Sequence, residues 1–440
     1  MLRTQTRLIM ALLLTSFYSL AGGTQPFADT TRAFAVPTLT RTPGGTVALS
    51  WTEKDPAGVV SFYWAESTDK GQTFGAKKLI FSAPGLGNSR LMRPKLLFKK
   101  DGTPVAVFAL RGPESAAAAA AAPSHDHGAP QASAPQAGAG HDHGAAPAAK
   151  AGDGAARGNA PRGGGRPSDL QIVYTYSTDK GNTWTTPQPV HADKTPNIVR
   201  GFFDATVLAN GEIGVAYLND IQGQAHSRDL RFVSSTGTRF SPERILDPFV
   251  CDCCNISLLV DKSGALQLYY RENQDNIRDI ARMTSTDNGA TFTKPAILFA
   301  DNWQINGCPH SGPTSSMGSG TNLIAWYSGT TSDPGIRVVN QQGKRLFVLD
   351  EPTARNAWLT PAPNASVLLW EQNQSSEAGV QSVIAYKTIT GNTNPATQLV
   401  ADARNATNAS GLVIDNQLVV AYEIKGPNNK NALGLSQVRL

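Results

Sequence analysis

The residues best equipped for chemistry in this chain are its four cysteines, Cys251, Cys253, Cys254 and Cys308, the last followed at once by Pro309 and His310. A tight run of thiols, joined by a distant thiol and an imidazole, makes a soft donor set of the kind that takes Cu or Zn. His125-Asp126-His127-Gly128 and His141-Asp142-His143-Gly144 repeat one short motif suited to loose chelation of the same metals, although a flexible linker could carry it as well. The competing chemistry is disulfide formation, the ordinary fate of an even cysteine count in an exported chain. A bridge between the adjacent Cys253 and Cys254 would be strained, so Cys251 or Cys253 with Cys308 is the easier pairing.

A second set is ionic. Arg32, Arg90, Arg93, Arg200, Arg271, Arg355 and Arg404 stand mostly just ahead of apolar segments, and Asp204, Asn219 and Glu272 add polar groups. Arginine forks pair with carboxylates, so Arg32, Arg93, Arg200, Asp204 and Glu272 could line a site for an acidic sugar. The plain alternative is a solvated charged rim. The net charge of +5 over 440 residues is mild, and no basic run is dense enough to predict a nucleic-acid partner.

These groups need a scaffold, and repeats supply it. The octapeptides Ser67–Phe74, Ser177–Trp184 and Ser285–Phe292 share the pattern S-T-D-x-G-x-T-aromatic. The Asp carboxylate can accept N–H groups of its own turn, the Gly can take a positive φ, and the ring can pack back between strands. Upstream of the boxes recurs an apolar run, a Gly turn and another apolar run. Copies begin at Pro37, Pro94, Asp204, Asn255 and Ser410, and weaker ones near Gly312 and Trp358. Repetition at roughly 50 residues, with about four short strands per unit, predicts an all-β propeller of four-stranded blades. Seven units favour seven blades, or six if one unit is absorbed irregularly. The last unit ends at Leu440 on a third strand, so the segment after the N-terminal leader is expected to supply its outer strand. Residues 112–166, rich in Ala, Gly and Pro, cannot bury a core and read as a disordered insert between propeller segments 22–111 and 167–440.

Antiparallel blades put their second-to-third loops and their blade-to-blade connections on one face. The octapeptides, at third-to-fourth turns, belong to the other and read as structural. Cys251, Cys253 and Cys254 precede the fourth unit, and Cys308 and His310 the fifth. The His-rich insert and His226 occupy second-to-third loops. All are expected, with the arginines, on the face opposite the boxes, where a rigid scaffold carries its sites.

Arg3 and Arg7 precede an apolar run from Leu8 to about Leu20, and Ser19-Leu20-Ala21 suits a signal peptidase. Residues 1–21 therefore read as a cleaved leader, and the mature protein as periplasmic or secreted. The run is short for a membrane span, and no other segment is expected to cross a bilayer.

The boxes and the N-terminal unit resemble the sialidase (neuraminidase) superfamily of BNR, or Asp-box, propellers over most of the mature chain. That resemblance implies arginines gripping a substrate carboxylate, a Tyr nucleophile activated by a Glu, and an Asp acid/base. On that pattern Arg271 and Arg337 match two of the arginines, Tyr422 the nucleophile and Asp55 the acid/base. The family's opening Arg-Ile-Pro is here Ala35-Val36-Pro37, lacking its Arg although Arg32 is near, and Cys253, Cys254, Asn255 and Ser257 occupy the neighbourhood of the Glu. These losses remove part of the carboxylate grip and of the nucleophile's activation. The leading expectation is an exported sialidase-like propeller that is not an ordinary sialidase and binds a metal, copper favoured, or another ligand at a Cys/His-containing face. The alternatives are an exo-sialidase or other glycoside hydrolase acting on an acidic sugar, and a protein-interaction scaffold.

Overall fold

Runs such as VALSWTEK (Val47–Lys54) and VLLWEQN within Ala365–Ser376 are rich in β-branched and aromatic residues, which suit a pleated surface buried on both faces. The computed structural model describes residues 27–112 and 169–440, apart from Ala225, Ser319, Ala378, Asn392, Asn428 and Asn429. The leader and nearly all of the His-rich insert, with His125, His127, His141 and His143, lie outside the described residues.

Seven antiparallel sheets follow one another along the chain. Blade 1 spans 33–83, blade 2 95–189, blade 3 200–250, blade 4 257–299, blade 5 314–348, blade 6 355–404 and blade 7 406–439. Strands pair in sequence order within each sheet. In blade 3 both Arg239–Phe240 and Arg244–Val250 pair with the third strand, and blade 7 has three strands among the described residues. An outer strand drawn from before residue 27 lies outside them. The protein is a seven-bladed β-propeller, with seven rather than six of the expected units forming separate sheets.

The core lies between blades. Val107 and Ile172 of blade 2 meet Phe203, Val215 and Tyr217 of blade 3, and Leu323 and Ile336 of blade 5 meet Leu368 and Trp370 of blade 6. The ring closes where Leu49 and Trp51 of blade 1 pack on Val419, Ala421 and Leu433 of blade 7. Each large buried side chain there is worth about 1.5–3 kcal/mol. The Lys70–Asp415 ion pair across the same junction is exposed and screened by solvent, so packing holds the closure.

The octapeptides are blade-to-blade fasteners. In the first, the Ser67 hydroxyl donates to Asp69 (2.7 Å) and accepts the Gly71 N–H (2.8 Å). The Asp69 carboxylate accepts the N–H and hydroxyl of Thr73 at 2.9 and 2.5 Å. The other two copies repeat this network. Gly181 has φ +79°, and a Cβ there would lie 2.4 Å from Trp64 of blade 1; at Gly289 it would lie 2.2 Å from Phe232 of blade 3. Phe292 packs on the same Phe232 at 5.1 Å. Each of these two boxes therefore docks on the preceding blade.

Gly181→Ala combines a strained φ with an overpacked junction and is expected to cost about 2–5 kcal/mol, read from denaturant melts. The hydrogen bonds from Thr73 and Thr291, foremost among their partners, hold the carboxyls of Asp69 and Asp287 down to about 2 from an ordinary 3.8. A depressed native pKa gives stability that is present above the unfolded value and lost as pH falls through the native one. Melting temperature should thus fall between about pH 4 and pH 2. Asp69→Asn should be less stable at pH 7 and decline less steeply with acid.

Candidate functional site

The innermost strands of all seven blades surround a hub cavity of about 290 Å³, whose lining includes Thr38, Lys95, Asp204, Ser257, Ser315, Trp358 and Asn408. The mouth is shaped by bulges in the first strands of blades 1, 3, 6 and 7. At each bulge a non-glycine residue takes a positive φ: Val36 (49°), Phe202 (51°), Asn356 (54°) and Asn408 (53°). Such strain costs about 1–3 kcal/mol per residue and persists only where the surroundings over-determine it. Buried acids from second strands do so at two of them. Glu423 of blade 7 accepts the Val36 N–H at 2.8 Å, and Glu371 of blade 6 accepts the Asn408 N–H at 2.6 Å. Burial pushes the Glu423 carboxyl up, against the hydrogen bonds from Val36, Asn408 and Asn431 that favour its ionised form. Sequence reasoning missed both glutamates, although each follows an aromatic residue at the end of an apolar run, in Trp370-Glu371 and Tyr422-Glu423.

Three cations and one carboxylate line the cavity: Arg90, Arg93, Lys95 and Asp204. Arg93 donates to the carbonyls of Pro37 (2.5 Å) and Asn408 (3.2 Å) and lies 5.1 Å over the Trp358 ring. Burial lowers its pKa to about 10, a pull that Glu423 partly offsets, so it stays charged at neutral pH. Arg90 donates to the His310 carbonyl at 3.2 Å. Lys95 pairs with Asp204 at 2.6 Å, and Asp204 also accepts the N–H groups of Ala205 and Leu258.

Of the five residues expected to bind a ligand, Arg93 and Asp204 face this cavity; the other three do not line it. Arg32 pairs with Asp29 and Glu53, and Arg200 with Asp193 and Asp169. Glu272, half-buried, sits beside the buried Asp247, and both carboxylates accept from the Tyr270 hydroxyl. Burial first, and Asp247 second, raise Glu272 to about 8.

None of the four residues that the sialidase pattern makes catalytic lines the hub cavity. Arg271 is buried and spends its guanidinium on the carbonyls of Ser311, Arg278 and Tyr327. Arg337 is equally buried, bound to Asp301, to the Ser328, Gly335 and Asp333 carbonyls and to the Thr330 hydroxyl. The Tyr422 hydroxyl meets Ser436 at 2.9 Å inside blade 7. Asp55 accepts the Val59 N–H within its own loop.

The Cys/His residues do converge. The buried sulfurs of Cys251, Cys253 and Cys254 lie 3.3–4.0 Å apart. The donor atoms of Cys253, Cys308 and His310 form a second group within 4.8 Å of one another, with Cys308 exposed. All four cysteines are free thiols, so no disulfide pairing expected from sequence occurs in the structure. Contacts with the Cys253 and Cys254 sulfurs hold the Cys251 thiol well below its usual value, with nearby Arg271 helping. The bond to Cys251 pushes Cys253 up, and burial pushes Cys254 up.

Two loops carry these donors, and both are stitched to blade 4. Arg271 accepts the Cys251 N–H on its own carbonyl while its side chain holds Ser311. The Asn255 side chain spans to the Gly312 N–H and the Pro313 carbonyl. A Cβ at Gly312 would lie 1.9 Å from the Asn255 carbonyl oxygen, so only glycine permits this approach. Arg228 fixes the Asp252 carbonyl at 2.6 Å and lies over the Phe202 ring.

A family model for the BNR repeat-like domain matches residues 160–357. Repeats and seven sheets define the chain as a seven-bladed β-propeller, and over residues 160–357 it is similar to the BNR repeat-like domain, which fits a sialidase-like propeller. A solved ulvan lyase, described as a new family of polysaccharide lyase and bound to a saccharide containing GlcA, is similar at 12% identity and TM-score 0.50, over 95% of this chain and 94% of that one. A Dyadobacter fermentans protein of unknown function has 12% identity, TM-score 0.49 and coverage of 96% and 98%. The intramolecular trans-sialidase from Ruminococcus gnavus, in complex with oseltamivir carboxylate, has 13% identity, TM-score 0.47 and coverage of 94% and 96%. No curated protein matches the chain in sequence.

Gly312→Ala should force the two cysteine loops apart. The expected result is a lower melting temperature and faster reaction of the three buried thiols with a thiol reagent, whereas Gly307→Ala, which meets nothing within 4 Å, should change neither.

Proposed function

We propose that this is an exported propeller that binds a small acidic saccharide in its hub cavity, at the face carrying the Cys/His loops. The observation that carries the reading is the cavity's charge: Arg90, Arg93 and Lys95 face it against the single carboxylate of Asp204. A carboxylate ligand would be drawn there and gripped by charge-assisted hydrogen bonds. Asn255, Ser257, Ser315 and Asn408 offer hydroxyl partners, and Trp358 offers a ring for a sugar face. The volume of about 290 Å³ is at the small end for ligand sites, which favours one or two sugar units. The ulvan lyase of similar fold, bound to its GlcA-containing saccharide, is consistent with this ligand class.

Binding is favoured over hydrolysis, because Tyr422, Asp55, Arg271 and Arg337 are each committed elsewhere in the fold. The donor residues of the Cys/His cluster do not line this cavity.

Calorimetry of the full chain against glucuronic acid, sialic acid and glucose tests the reading. The two acids should bind more tightly than glucose, and more weakly as salt rises. Arg90→Ala should weaken the acids about 10- to 100-fold, the value of a hydrogen bond to a charged group. Equal binding of glucose, or no binding of either acid, sinks the proposal. Fluorogenic sialosides should show no turnover.

A further inference from the structure

The cysteine geometry points to a site that the cavity does not use: we propose that Cys251, Cys253 and Cys254 hold one Cu(I) ion on three sulfurs, with Cys308 and His310 as an outer position that shares Cys253. The proposal does not depend on the saccharide reading.

The distances fit. A metal about 2.3 Å from each of three thiolates sets sulfur–sulfur separations of about 3.8–4.0 Å. The separations here are 3.8 Å (251–253), 4.0 Å (253–254) and 3.3 Å (251–254). Two match, and the third, at 3.3 Å, needs to open by about 0.5–0.7 Å to reach that range. A disulfide requires about 2.05 Å, far from all three. Ordinary core cysteines pack among apolar side chains, yet Phe202 is the only hydrophobic residue packed on this cluster among the described residues.

The outer shell is built as metal sites require. Arg271 and Asn255 lock the 251–255 and 308–313 loops together, and Gly312 permits their contact.

The donor arrangement selects the metal. Structural zinc takes four donors at a tetrahedron. Among the described residues the five donors form two overlapping triads, Cys251/Cys253/Cys254 and Cys253/Cys308/His310, rather than one set of four. Three soft sulfurs with no fourth ligand suit Cu(I). The outer triad reaches solvent through the exposed Cys308. An ion captured by Cys308 and His310 passes inward by exchanging those ligands for Cys251 and Cys254 while Cys253 stays bound. Copper remains Cu(I) throughout, and each thiol that ligates gives its proton to the buffer.

The test uses the full chain, reduced and oxygen-free, titrated with Cu(I) against a competing chelator. One Cu(I) per chain is expected, with thiolate-to-copper absorption in the ultraviolet and X-ray absorption giving three sulfurs at about 2.3 Å. Replacing His125, His127, His141 and His143 together by Ala should leave this ion in place. Cys253→Ser should abolish it, with circular dichroism checking the fold. Cys308→Ser, at an exposed position, should keep the stoichiometry and slow the uptake. The proposal is overturned if the quadruple histidine variant binds no Cu(I), if sulfur is missing from the coordination shell, or if Zn(II) is taken in preference in a four-donor site.

Discussion

Every feature of this molecule depends on the fact that a blade cannot cover its own faces. Each sheet is apolar on both sides, as the unbroken burial of Leu266–Arg271 and Gly335–Asn340 illustrates, and its cover is the neighbouring blade. Stability is therefore a property of junctions. The ring has no free sheet face once blade 1 meets blade 7 through Trp51, Val419 and Leu433, and burial there outweighs the surface ion pair at the same place. The Ser-Thr-Asp boxes serve the same end from the outer turns, where Gly181 and Gly289 admit an aromatic ring of the blade before and Gly71 lies against Val419 of blade 7.

The same constraint explains what the arginines do. A blade-to-blade connection must turn sharply and leaves carbonyls unpaired near the core. Buried guanidinium groups, with five donors on a planar fork, satisfy several at once. Arg271 binds three carbonyls from two blades and the connection between them, and Arg337 does the same service for three carbonyls of the turn between the second and third strands of blade 5. At these two positions charge has become architecture. Arg90 and Arg93 face the hub instead, and the cavity takes its cationic character from them and Lys95.

Strain and close approach concentrate at the mouth of the hub. Val36, Phe202, Asn356 and Asn408 hold positive φ where inner strands bulge, and Gly312 lies against the Asn255 backbone. Interactions between distant segments sustain this geometry. Glu423 reaches Val36 across the ring closure, 387 residues away in sequence. The cysteine loops sit beside this mouth, held by residues of blade 4 and its two connections. A site there inherits the rigidity of the junctions around it.

The sequence by itself determined the architecture. Period, turn chemistry and apolar runs are local properties, and the Asp-Gly-Thr-aromatic boxes state their turn geometry in eight consecutive residues. The convergence of Cys251, Cys253, Cys254, Cys308 and His310 was also legible, because strand parity alone sends neighbouring connections to one face. Side-chain direction was not legible. Arg93 and Arg200 occupy similar places ahead of their strands, yet one lines the cavity and the other turns to Asp193. Glu371 and Glu423 look like ordinary strand ends until a bulged N–H from the next blade finds them. Whether a charged group faces a ligand or a carbonyl depends on which partner lies nearest in space, and that is set by the packing of blades brought together only when the ring closes.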